Sequence, residues 1–149
     1  MSSAQEPVKL PITRTAGYDG STAGIAAARA FAMDFLHLLG TRCGLVVPAR
    51  LREVVPLVVS ELTTNACKYA PGPQRLELEA DEADLRLSLW DTSPALPVVL
   101  AADPGRIGQH GLAIVTALCQ DYTVHPQPPG KRTTVRISLA DSPGHTTLA

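Results

Sequence analysis

No charge of one sign dominates this chain: 13 lysines and arginines stand against 14 aspartates and glutamates, a formal net charge of −1. Such a balance leaves no electrostatic footprint for nucleic acid or for an anionic membrane surface. Cysteine is scarce too. Cys43, Cys67 and Cys119 are odd in number, widely separated and set among apolar residues. Without a CxxC pair or a Cys/His cluster at zinc spacing, disulfides and a structural metal are not expected, and the three read as buried free thiols. No apolar run reads as long enough to span a bilayer, and residues 1–13 lack the charged-then-apolar pattern of a signal peptide. The expected location is therefore cytoplasmic.

What is present is the material of one ordinary globular domain: 149 residues, 45% hydrophobic, enough to bury a core. No internal repeat or domain boundary interrupts it. The expectation is a single domain over residues 1–149, with its core between about 8 and 140 and a small, polar, disordered tail over 141–149.

Residues 8–15 alternate apolar and polar and read as a first strand, which Pro11 places at a sheet edge. Residues 17–21 form a turn. Residues 22–39 are rich in alanine and set Ile25, Ala28, Phe31, Ala32, Phe35, Leu38 and Leu39 on one side of an amphipathic helix ended by Gly40. A second helical stretch, 48–70, is interrupted by Pro56, which predicts a kink or two abutting helices, and Pro71-Gly72-Pro73 stops it. Residues 75–80 and 85–91 alternate cleanly, with Leu76, Leu78, Leu85, Leu87 and Leu89 on one face and residues 81–84 as the hairpin loop. Residues 92–106 contain three prolines and no period, and read as a long loop of the kind that serves as a lid. A helix over 108–121 follows, then strands over 122–125 and 132–140 joined by a turn at 126–130. This order predicts a two-layer α/β sandwich of the α+β class, a mostly antiparallel mixed sheet covered on one face by helices.

Three segments carry chemistry. In the second helix Val55, Val58, Val59, Leu62, Ala66, Tyr69 and Ala70 form one apolar stripe, and Glu61, Asn65 and Lys68 stack along its edge at i, i+4, i+7. A carboxylate suits a base, a carboxamide oxygen a hard cation and an ammonium a phosphate. Taken alone, such a row is most often solvated surface. Asp91 closes a core strand before the long loop, where it presents an acceptor to an exocyclic amine or caps the following turn. The segment Gly105-Arg106-Ile107-Gly108-Gln109-His110-Gly111-Leu112 opens an apolar helix whose first N–H groups suit an anion. It is not a Rossmann fingerprint, since no strand directly precedes it. Gly130-Lys131-Arg132-Thr133 is not a Walker loop, since the upstream glycine is missing and a strand follows.

In their order and spacing, Glu61-xxx-Asn65-Ala66, Asp91 at a strand end, Gly108-xx-Gly111-Leu112 at a helix start and Thr134-Val135 on the last strand resemble the GHKL ATPase superfamily. That is the Bergerat-fold group of gyrase and histidine kinases. More closely, Val59-Ser60-Glu61-Leu62-Thr63-Thr64-Asn65-Ala66 with Asp91-Thr92-Ser93-Pro94 is similar to the stand-alone anti-sigma-factor serine/threonine kinases and related actinobacterial regulators. The resemblance covers about Leu10 to Leu139. It implies that Asn65 holds the magnesium ion bridging the ATP phosphates and that Glu61 is the general base. It implies further that Asp91 accepts from the adenine amine, that Gly108, Gly111 and Leu112 line the phosphates, and that Thr134 lies near adenine. Lys68 as a neutraliser of phosphate charge rests on geometry alone. The implied function is an ATP-binding anti-sigma-type regulator that binds a sigma factor and phosphorylates an anti-anti-sigma, STAS-type partner on a hydroxyl.

The chain departs from the family at its first glycine box, commonly Asp-x-Gly-x-Gly, where it reads Asp91-Thr92-Ser93-Pro94-Ala95. Ser93 and Pro94 reduce backbone freedom beside the base. The alternative they motivate is a nucleotide-binding interaction module, a pseudo-kinase that regulates by binding only. No phosphoacceptor-histidine helix is expected upstream, and the scattered His37, His110, His125 and His145 read as core or surface residues. Trp90 alternates out of phase with Leu87 and Leu89, so it faces away from the main core, either packed under a loop or marking a homodimer or partner surface.

Overall fold

The computed structural model describes residues 7–69, 72–93 and 118–140. Their elements in chain order are β1 (Ile12–Tyr18), α1 (Ala23–Thr41), α2 (Leu51–Tyr69), β2 (Gln74–Ala80), β3 (Asp84–Asp91), β4 (Asp121–Gln127) and β5 (Gly130–Ser138). The five strands form one sheet in the order β1-β2-β3-β5-β4, and all four described ladders are antiparallel. The helices cover one face, giving the expected α+β sandwich with its mostly antiparallel sheet, every ladder among the described residues being antiparallel.

Period-two alternation decides which side chains meet the helices. Leu76 and Leu78 on β2, Leu85, Leu87 and Leu89 on β3, and Val135 and Ile137 on β5 are buried on the helix side, in register as Leu76↔Leu89, Leu78↔Leu87, Leu87↔Val135 and Leu85↔Ile137. From the helices come Ala28, Ala32, Phe35, Leu36 and Leu39 of α1 and Leu51, Val55, Val58, Val59, Leu62 and Ala66 of α2. The opposite face of the sheet is a lattice of ion pairs, Arg132–Glu77, Arg86–Glu79 and Arg136–Asp84 among them, each half-exposed and contributing little individually.

Boundaries differ from the sequence reading in several places. Residues 8–11 precede β1 and fasten to the end of α1 through Val8 N–H to the Arg42 carbonyl at 2.9 Å, so the strand runs 12–18 and includes Gly17. Its edge position matches the expectation from Pro11, and Pro126 likewise sits on the other edge strand, where a missing N–H costs no ladder bond. α1 continues through Gly40 to Thr41, and Pro126 and Gln127 extend β4 to a turn at Pro128-Pro129. α2 is a single helix that contains Pro56, neither ended nor divided by it. Its apolar stripe stops at Ala66, because Tyr69 is 63% exposed.

α1 is long and apolar enough, by length and composition, to cross a membrane, against the sequence expectation. In this structure one side of it packs on α2 and the sheet. The three cysteines are half-buried free thiols, more accessible than expected. Burial pushes the Cys119 thiol up to about 11.

Candidate functional site

The leucine rows of the core give way to polar residues at one end of the sheet. At that end β1 and β3 finish while β2 and β5 begin. Gln74, Asp91, Lys131 and Thr133 are the polar side chains buried there on the helix side, exposed by 4%, 4%, 8% and 7%. Gln74 opens β2 opposite Tyr18, Asp91 closes β3 opposite Lys131, and Thr133 lies one step inward opposite Leu89. The C-terminal end of α2 arrives over the same corner, since the Gln74 amide donates to Cys67 Sγ at 3.5 Å. Its N-terminal end lies at the far side of the sheet, where Arg50 donates to the carbonyls of Ser138 and Ala140. The last two turns of α2 therefore stand above a polar floor.

Lys131 Nζ donates to Asp91 Oδ1 at 3.0 Å, and the Ser93 N–H donates to the same oxygen at 2.9 Å. The close approach of the strands here depends on a glycine. A Cβ on Gly130 would lie 1.8 Å from the Asp91 carbonyl oxygen, a position no other residue fills.

On α2, Glu61 and Asn65 are half-buried, one helical turn apart, and among the described residues neither side chain has a hydrogen bond or an ion pair. An amide oxygen free of other donors, next to a carboxylate, is the chemistry a magnesium ion uses when phosphates and water complete its shell. Among the described residues no group of three His, Cys, Asp or Glu gathers into an all-protein metal site. Lys68, the third residue of the row, is exposed in the last turn, its Nζ 5.5 Å from the Tyr69 ring, where a cation complements the helix dipole.

Thr134 lies on the face of the sheet away from Asp91. It belongs to the ion-pair face of the sheet, with Oγ1 2.9 Å from Ser88 Oγ. Thr133 is the threonine that shares Asp91's face. Its phase was readable, since Thr133 and Lys131 alternate in step with Val135, Ile137 and Leu139. In the sequence, Lys131 lies in a Gly130-Lys131-Arg132-Thr133 segment that fails as a Walker loop and offers no other motif. Gly108, Gly111, Leu112, the long loop from Pro94 and the helix expected over 108–121 lie outside the described residues, save Leu118 onward. Trp90 is half-buried on the ion-pair face, as its phase predicts. Its Nε1–H donates to the Gln127 carbonyl at 3.2 Å, and the Arg75 guanidinium lies 5.9 Å from its ring.

Residues 21–139 match the family model of the histidine kinase-like ATPase domain. No curated protein matches the chain. Among solved structures it is similar to the RsbU and RsbW domains of Rv1364c from Mycobacterium tuberculosis, with a TM-score of 0.61 and 18% identity over 88% of this chain and 33% of that one. It is also similar to the histidine kinase AdeS of Acinetobacter baumannii, with a TM-score of 0.48 and 17% identity over 86% of this chain and 68% of that one. A third likeness is to the histidine kinase domain of the EL346 blue-light activated histidine kinase from Erythrobacter litoralis, with a TM-score of 0.46 and 20% identity over 77% and 61%. The chain spans one third of the first of these structures, and at such identities the likeness is one of fold.

Proposed function

The chain belongs to the histidine kinase-like ATPase domain family, and from that membership we propose that it is a cytoplasmic ATP-binding regulator that phosphorylates a partner protein on serine or threonine. One observation carries the reading. Glu61 and Asn65, half-buried and without side-chain partners among the described residues, lie one turn apart on α2, the helix whose C-terminal end is tied through Cys67 to Gln74 at the corner that also holds buried Asp91. Such groups are left unsatisfied in a fold chiefly where a ligand satisfies them.

In this reading Asp91 accepts from the adenine amine and Thr133, in place of Thr134, lies beside the base. Asn65 contributes its carboxamide oxygen to magnesium, and the segment containing Gly108, Gly111 and Leu112 receives the phosphates. Magnesium supplies neutralisation of the phosphate charge when bound. Glu61 accepts the proton of the partner's hydroxyl as that oxygen bonds to the γ-phosphorus, while the bond from phosphorus to the β,γ-bridging oxygen breaks and ADP leaves. The fold likeness to a structure containing RsbU and RsbW domains supports a partner-switching setting. The partners there are a sigma factor held by this domain and an anti-anti-sigma protein of the STAS type that accepts the phosphate, with a homodimer as the working assembly.

The test is transfer of radiolabelled phosphate from ATP to candidate partners by wild type and Glu61→Ala. Loss of labelling by about 10²-fold or more is expected for removal of a general base, and equal labelling removes Glu61 from the mechanism. Ser93-Pro94-Ala95, standing where the family commonly has glycines, favours one second reading, a module that binds nucleotide and partner without transfer. Calorimetry showing tight ATP binding, with neither transfer nor hydrolysis, selects it.

A further inference from the structure

Asp91 and Lys131 face each other across β3 and β5, and their side chains are only 6% and 10% exposed. The pairs that continue this ladder into the core are Leu89↔Thr133, Leu87↔Val135 and Leu85↔Ile137. Withdrawing a carboxylate and an ammonium from water costs free energy that their attraction barely offsets, and an apolar pair of similar volume holds a fold as well or better. Stability therefore gives no reason for an ion pair here, whereas a ligand does. An ammonium has three donors. One is bound to Asp91, and among the described residues no other acceptor bonds Lys131 Nζ. Both described bonds to the Asp91 carboxylate fall on Oδ1. Among the described residues, Oδ2 and two ammonium protons are thus left without partners at the polar end of the core.

We propose that Lys131 is a specificity-determining residue of the nucleotide site, pairing with Asp91 as a fixed acceptor and donor that read adjacent positions on a 6-aminopurine. Asp91 Oδ2 accepts from the exocyclic amine, and the Lys131 ammonium donates to the unprotonated ring nitrogen N1 beside it. This rests on Asp91 as the base acceptor, as read above. The order of the two groups sets the selectivity. A 6-oxopurine carries a carbonyl and an N–H in those places, so acceptor would face acceptor and donor would face donor. By holding Oδ1, Lys131 also fixes which carboxylate oxygen is offered to the base.

Calorimetric titration of the full chain tests this with ATP and 1-deaza-ATP, which keeps the amine but has C–H in place of N1. Wild type is expected to bind 1-deaza-ATP about tenfold more weakly than ATP, the size of one hydrogen bond to a charged donor. Lys131→Met is expected to weaken ATP and leave the two nucleotides nearly equal, with circular dichroism checking that it folds. Equal binding of both nucleotides by wild type overturns the inference without recourse to any variant, as does an undiminished ratio in a folded Lys131→Met. If wild type binds the two alike while Asp91→Ala loses both, the base acceptor stands and only the role of Lys131 falls. If wild type binds no ATP, both readings fall together.

Discussion

At the scale of single residues, this protein places charge where it is held by geometry more than by number. Asp81 illustrates it. In the β2–β3 turn its carboxylate accepts the N–H groups of Ala83 and Asp84, each at 2.8 Å, and Arg86 lies 3.4 Å away. These bonds, that of Asp84 foremost, hold its carboxyl below the ordinary value of 3.8. A lowered folded pKa stabilises the native state above the unfolded value, and that contribution is lost as pH falls through the folded one. Asp81→Ala is thus expected to melt below wild type at pH 7, with the gap closing as pH drops below 3.8. Thermal melts across that range check it, and a gap constant with pH would assign the effect to turn packing instead. Cys119 gives a second outcome at this scale. With its thiol raised to about 11, its thiolate is rare at pH 8, and iodoacetamide should alkylate it at least about tenfold more slowly than free cysteine. Mass spectrometry of timed digests reads the rate.

Among the elements, the junction of β3 and β5 does most to shape the site. It sets Asp91 against Lys131, and Gly130 permits the approach. Gly130→Ala would drive a methyl group to 1.8 Å from the Asp91 carbonyl oxygen, so the strands must part. The expected cost is on the order of 2–3 kcal/mol, as for other overpacked sites, measured by urea unfolding. ATP affinity should fall with it, because the displaced backbone carries Asp91. The same junction explains what was legible in the sequence. Alternation in residues 85–91 named the core face of β3 and put Asp91 on it. Alternation in β5 puts Thr133 with Val135 and Thr134 with Arg136, so phase and motif resemblance point to different threonines. On α2, Pro56 predicts a kink or two abutting helices. The second alternative falls, because a single missing N–H is a local loss and seven buried side chains keep α2 one continuous helix.

Taken together, the described residues form two layers with a polar corner built from α2, β2, β3 and β5. Ligand that binds only the native state raises its stability by mass action, about 2.7 kcal/mol at a hundredfold excess over the dissociation constant. ATP with magnesium is therefore expected to raise the melting temperature. Asn65→Ala should remove the part of that rise that depends on magnesium, with ATP in EDTA as the reference. An identical magnesium increment in the variant would take Asn65 out of the metal's shell.

By itself the sequence determined the layers, the antiparallel hairpins and the pairing of Glu61 with Asn65, because all of these follow from periods of two and 3.6 within a few residues. It also identified Asp91 as the end of a core strand. Only the tertiary structure decided that Lys131, 40 positions further along, meets that carboxylate, and that the C-terminal end of α2 lies over the same corner. Those outcomes depend on register between β3 and β5 and on where α2 ends above the sheet. Both are fixed by packing between segments distant in the chain, for which no local pattern carries the information.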